Sequence, residues 1–89
     1  MDALPILEQT DVAYKSQHQH VMHACGHDGH TSALLAAAQY LAASKQFNGT
    51  LRVIFQPAEE YLYGGTVMVD VGLFERVPGD LLYGFLNMP

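Results

Sequence analysis

Residues 32–45 read SALLAAAQYLAASK, a run of strong helix formers whose apolar side chains go nearly all the way round the helix. A helix without a polar face has to be covered on more than one side, so this segment demands other layers against it. Asp28 or Thr31 could cap its start, and Lys45 suits its negative C-terminal end. The flanking sequence offers strands as the covering layer. Residues 1–6 (MDALPI) read as the end of a strand closed by Pro5, and residues 50–56 (TLRVIFQ) as a β-branched run between the Asn48-Gly49 turn and Pro57. Residues 80–86 (DLLYGFL) read as a last strand, after a Gly64-Gly65 pair and a short amphipathic helix in which Gly72 is the C-cap. Residues 7–22 are polar, aperiodic and rich in Gln and His, which predicts a loop. Strand, helix, strand, helix, strand is the order of βαβ units, so the expectation is an α/β chain: a βαβαβ portion of a mainly parallel sheet with flanking helices. Such a sheet has two raw edges, which gives the chain the look of a piece cut from something larger.

Eighty-nine residues leave room for one core and no second domain, and a chain this short is marginal without a partner, metal or crosslink. Its 49% apolar and 15% charged residues exclude a disordered chain. A net charge of −5 is the wrong sign for a nucleic-acid or anionic-membrane binder. No apolar run is long enough to span a bilayer, and no signal peptide precedes the first polar residue. A single cysteine cannot make an internal disulfide, which points to a reducing compartment, a cytoplasmic location and a thiol available for chemistry.

All five histidines fall between positions 18 and 30, and the densest stretch is His23-Ala24-Cys25-Gly26-His27-Asp28-Gly29-His30. Thiolate and imidazole are good ligands for zinc and other borderline-soft divalent ions. Cys25 and His27 point the same way only on an extended or turned backbone, and Gly26 and Gly29 disfavour a helix there. Asp28 is placed to hold a ligand histidine by its second nitrogen. Taken alone, Cys-x-His is a loose signal, and a small buried cysteine or a solvated histidine is commoner. A helical stripe of His23, His27 and His30 is a rival that leaves Cys25 off the face.

Gln56-Pro57-Ala58-Glu59-Glu60 follows the central predicted strand directly, and sites in open α/β sheets form beyond the carboxyl ends of strands. Adjacent carboxylates repel unless a cation or a proton relieves them, and neighbouring side chains point in different directions. One oxygen ligand and one general base acting on metal-activated water is the division of labour this suggests. A solvated acidic loop is the plainer reading of this cluster by itself.

The segments MDALPI-x-E, MHACGHDGHT, LRVIFQPAEE, GG, GLFE and YG-x-x-NMP occur here in an order that resembles one family across the whole chain. It is the hippurate hydrolase, aminoacylase and auxin-conjugate amidohydrolase branch of the dinuclear metallopeptidases. The resemblance implies a partial catalytic domain of phosphorylase/hydrolase-like fold over residues 1–89, without the smaller lid domain that mediates dimerisation, so a homodimer is expected only through that missing part. It implies hydrolysis of the amide bond of small N-acyl amino acids, with two divalent ions (manganese, zinc, nickel or cobalt). Carried over by position, it makes Cys25, His27 and Glu60 metal ligands and Glu59 the general base. Asp2 and Asp28 take supporting roles, and His30 lies within the same motif.

Where the family has Gly-x-His-Asn-Met-Pro, this chain has Gly84-Phe85-Leu86-Asn87-Met88-Pro89. Leu86 stands where a metal ligand is expected, and leucine has no donor atom. Three donors suffice for one ion and not for two, so at most one ion and little or no activity are expected of the chain by itself. A non-catalytic metal-binding module, a cysteine hydrolase with Cys25 as nucleophile, and an assembly fragment remain open as alternatives. Tyr61 and Tyr63 could line a pocket or simply pack.

Overall fold

The computed structural model describes residues 1–86. Three helices follow in order: α1 (His27–Ser44), α2 (Gly64–Asp70) and α3 (Leu73–Arg76). The predicted βαβαβ sheet is not there. Among the described residues no strand forms, and the strand-like pairing is an isolated antiparallel bridge between Leu4 and Met22, with N···O distances of 2.8 and 3.1 Å. The physical reason is that a helix satisfies its backbone groups within its own segment, whereas a strand needs a neighbour. Residues 50–56 and 80–86 have the composition of strands and no ladder partner, so they run as irregular chain. The Asn87-Met88-Pro89 end of the last motif lies outside the described residues.

α1 forms where the Ala- and Leu-rich run predicts it but starts earlier, at His27. Gly26, at φ 93°, turns the chain in the left-handed conformation open to glycine and is the N-cap, so neither Asp28 nor Thr31 caps the helix. Eighteen residues of high helix propensity are long enough to persist with little packing. The expected cover on several sides is missing: the residues of α1 that are buried are His27 and His30. Val71, not Gly72, is the C-cap of α2; Gly72, at φ 87°, follows it, donates its N–H to the Val69 carbonyl at 2.9 Å and is the N-cap that opens α3.

The described residues bury no hydrophobic side chain. The chain exposes 7479 Å², whereas a compact protein of its mass exposes roughly 5,200 Å². Its radius of gyration of 15.4 Å likewise exceeds the roughly 12 Å of a compact chain this long. No helix among the described residues is long and apolar enough to cross a membrane. What the fold does bring together, and bury, is the polar region around the start of α1.

Candidate metal centre

Three separate stretches of chain meet at Asp2. The Leu4–Met22 bridge folds residues 1–4 back beside the segment that leads into α1. The Thr31 hydroxyl ties the first turn of α1 to this N-terminal segment, donating to the His27 carbonyl at 2.8 Å and contacting the Met1 sulfur at 2.9 Å. Asp2 Oδ1 then lies 3.1 Å from His27 Nδ1, whose ring is 4% exposed. The third stretch is the turn after Pro57. Its amides donate to the same carboxylate, Glu59 N–H to Oδ1 at 3.2 Å and Glu60 N–H to Oδ2 at 3.4 Å. Burial opposes ionisation of Asp2, but the amides of Glu59, Asp2 itself and Glu60, with the His27 ring, outweigh it and hold the carboxyl below its ordinary range.

The turn owes its shape to local backbone conformation. Ala58 sits at φ 49° and Leu62 at φ 59°, both in the left-handed region, and Leu62 N–H donates to the Glu59 carbonyl at 2.9 Å. Gly64 closes the neck, donating to the Ala58 carbonyl at 3.3 Å. It is buried so tightly against Pro57 that a Cβ would overlap the Pro57 carbonyl. The Gly64-Gly65 pair, expected to precede a helix, forms the first two residues of α2, and Gly64 lets the acidic turn close.

With Nδ1 facing Asp2, the other nitrogen of His27 faces the acid pair. Nε2 is 3.5 Å from Glu59 Oε2 and 3.7 Å from Glu60 Oε1. The Cys25 sulfur, a His27 ring nitrogen and a Glu60 carboxylate oxygen all lie within 4.8 Å of one another. Cys25 and His27 reach this arrangement on the turned backbone that their spacing requires, one just before Gly26 and the other just after. The donor set suits a borderline-soft divalent ion. Bond lengths of roughly 2.0–2.3 Å put tetrahedral ligands roughly 3.4–3.7 Å apart. The His27–Glu60 separation of 3.7 Å already has that spacing. The thiol is held above its ordinary pKa, first by its hydrogen bond with Glu60, then by burial and the charges of Glu60, Glu59 and Asp2. An activated cysteine nucleophile needs the opposite shift, which argues against the cysteine-hydrolase alternative.

Other candidates fall elsewhere. Asp28 is exposed, with its backbone carbonyl accepting from the Ser32 hydroxyl at 2.8 Å, so the place at Nδ1 that sequence spacing suggests for it belongs to Asp2. His23 precedes α1, and no helical stripe with His27 and His30 forms. His30 is buried, with ring centroids 5.6 Å from His27 and 5.2 Å from Phe85, the latter edge-on. Phe85 thus brings residues 80–86 to the start of α1, a contact with no signal in sequence spacing. Leu86, next to it, is exposed.

Comparison with known proteins agrees with the motifs. The chain is 57% identical over 89 residues to hippurate hydrolase of Campylobacter jejuni, covering 100% of this chain and 23% of that protein. It is 47% identical over 87 residues to an uncharacterised hydrolase of Staphylococcus aureus, covering 94% of this chain and 23% of the relative. A further uncharacterised hydrolase, of Staphylococcus saprophyticus, is 44% identical over 92 residues, covering 100% and 24%. The chain thus spans about a quarter of the length of the curated relatives it matches. No solved structure matches. The sequence model of peptidase family M20/M25/M40 matches residues 1–89, end to end, and the chain belongs to that family.

Proposed function

We propose that this chain is the cation-gripping part of the catalytic domain of a hydrolase that cleaves the amide bond of N-acyl amino acids, with hippurate-like substrates foremost. The carrying observation is the convergence of Cys25, His27 and Glu60 donors within 4.8 Å, with the Glu59 carboxylate beside them. Family membership and the hippurate hydrolase relative support the reaction class. Cys25, His27 and Glu60 hold one divalent ion of the manganese, zinc, nickel or cobalt type. When bound, that ion supplies a Lewis acid and lowers the pKa of a water. Asp2 accepts from His27 Nδ1, which fixes the tautomer and leaves Nε2 free to be a ligand. Glu59 takes the proton of the attacking water and returns it to the leaving nitrogen as the C–N bond breaks. The 89 residues by themselves turn over little substrate.

The test is a swap of these 89 residues into the matching quarter of the Campylobacter hippurate hydrolase, with and without Leu86→His. Hippurate hydrolysis that falls about 10²–10⁴-fold on Glu59→Gln, while bound metal is retained, supports the reading. Hydrolysis that survives Glu59→Gln, or a swap inactive in both forms, contradicts it.

A further inference from the structure

The two side chains that α1 buries are both imidazoles: His27 is 4% exposed and His30 8%. Among the described residues no hydrophobic side chain is buried, so the burial of His30 is not a by-product of an apolar core. It comes from particular neighbours. His30 N–H donates to the Gly26 carbonyl at 3.2 Å, which sets the first turn of α1 against the Cys25-Gly26-His27 corner. Three residues on from His27, His30 shares its face of the helix. The two ring centroids lie 5.6 Å apart with the planes at 31°, and the Phe85 ring meets His30 edge-on at 5.2 Å and 86°. Both spacings fall within the roughly 4.5–7 Å at which aromatic rings attract one another. The converging donors are Cys25, His27 and Glu60, so His30 reaches the centre through the His27 ring.

We propose that His30 is a positioning residue of the metal centre: its ring, with Phe85 at its edge, fixes the plane of the His27 imidazole and so the aim of Nε2. The inference rests on the metal-binding reading above and adds a residue to which that reading gives no role. Asp2 holds the imidazole at Nδ1, with its carboxylate at 3.1 Å and its backbone carbonyl at 3.2 Å. Both contacts act on one ring atom, and neither stops the ring from rocking about it. A second ring laid against the imidazole does. The Nε2 lone pair lies in the ring plane, so a ring that rocks carries its donor off the cation, and ligand sets tolerate little misalignment.

The experiment measures cobalt(II) affinity and the visible absorption of the cobalt-loaded 89-residue chain, with circular dichroism as the control for α1. Alanine is the better helix former, so His30→Ala does not weaken α1 itself. It is expected to weaken cobalt binding about tenfold, the lower end of the range for partners of a ligand histidine, and to shift the absorption bands. His30→Phe keeps a ring against His27 without its nitrogens and is expected to match the unmodified chain in affinity and bands. Phe85→Ala leaves α1 untouched and is expected to weaken binding in the same direction by a smaller factor. Unchanged affinity in both alanine variants, or a His30→Phe variant as weak as His30→Ala, overturns the proposal, the latter by making His30 a donor. A loss of helix that parallels the loss of affinity overturns it too, by reducing His30 to a prop of the fold. Failure of the unmodified chain to take up cobalt overturns instead the metal-binding reading on which the proposal rests.

Discussion

Asp2 Oδ1 and His27 Nδ1, 25 residues apart in sequence, stand 3.1 Å from each other, and the same carboxylate receives the amides of Glu59 and Glu60. One side chain thus orients the His27 imidazole and anchors the turn that carries the acids. Asp2→Asn keeps the size but loses the charge and one of the acceptor oxygens. Because removing the partner of a ligand histidine costs 10–100-fold in metal affinity, zinc binding measured by calorimetry should weaken by about that factor. An unchanged affinity would show that Asp2 does not support the centre.

Glu59 and Glu60 are neighbours with different assignments, so conservative variants should separate them. Glu60→Gln is expected to weaken zinc binding at least about tenfold, since a neutral amide replaces an anionic ligand. Glu59→Gln should leave the affinity within a few-fold and the metal content, read by mass spectrometry, at one ion per chain. Equal losses in the two variants would contradict the division of roles.

Gly64 has no space for a side chain against the Pro57 carbonyl. Gly64→Ala should therefore force the neck of the turn open, at a cost of about 1–3 kcal/mol, the usual range for overpacking. Hydrogen exchange of the Glu59 and Glu60 amides should speed up by a corresponding factor, and zinc affinity should fall with it. Unaltered exchange would mean that the close approach does not govern the turn.

The parts of this structure that the sequence made legible are those whose bonding is local. Residues 32–44 are helical because alanine and leucine favour helix wherever they stand, yet the first turn was obscured by Gly26 and Gly29, which read as breakers. Gly26 instead starts the helix from a left-handed turn, and Gly29 lies within it. Residues 50–56 have strand composition, but a strand is a relation between segments, and none of the described residues provides its ladder. At the site, the Cys-x-His spacing and the adjacent acids were visible as chemistry. The meeting of Asp2 with His27 and with the Glu59 and Glu60 amides depends on the Leu4–Met22 bridge and on left-handed Ala58, for which no periodicity speaks. Asp28, adjacent in sequence, was the natural choice for the place that Asp2 takes.

The loop after residue 6 has its own electrostatic pin. The Thr10 amide, then the Thr10 hydroxyl and the Ser16 amide, hold the Glu8 pKa down to about 2 from its usual 4.5. With the folded value below the unfolded one, this contribution to stability is complete above about pH 4.5 and is lost as the pH falls through about 2. An NMR titration of the Glu8 carboxyl carbon should give a midpoint near 2, and Thr10→Val should raise it. A midpoint of 4.5 in the unmodified chain would contradict the pin.

X-ray absorption at the zinc edge of the zinc-loaded chain addresses the shared cation of Cys25, His27 and Glu60 most directly. One sulfur scatterer at about 2.3 Å together with nitrogen and oxygen at about 2.0–2.2 Å is the expected first shell, and Cys25→Ser should abolish the sulfur signal. A shell of nitrogen and oxygen alone, identical in the two chains, would contradict the account.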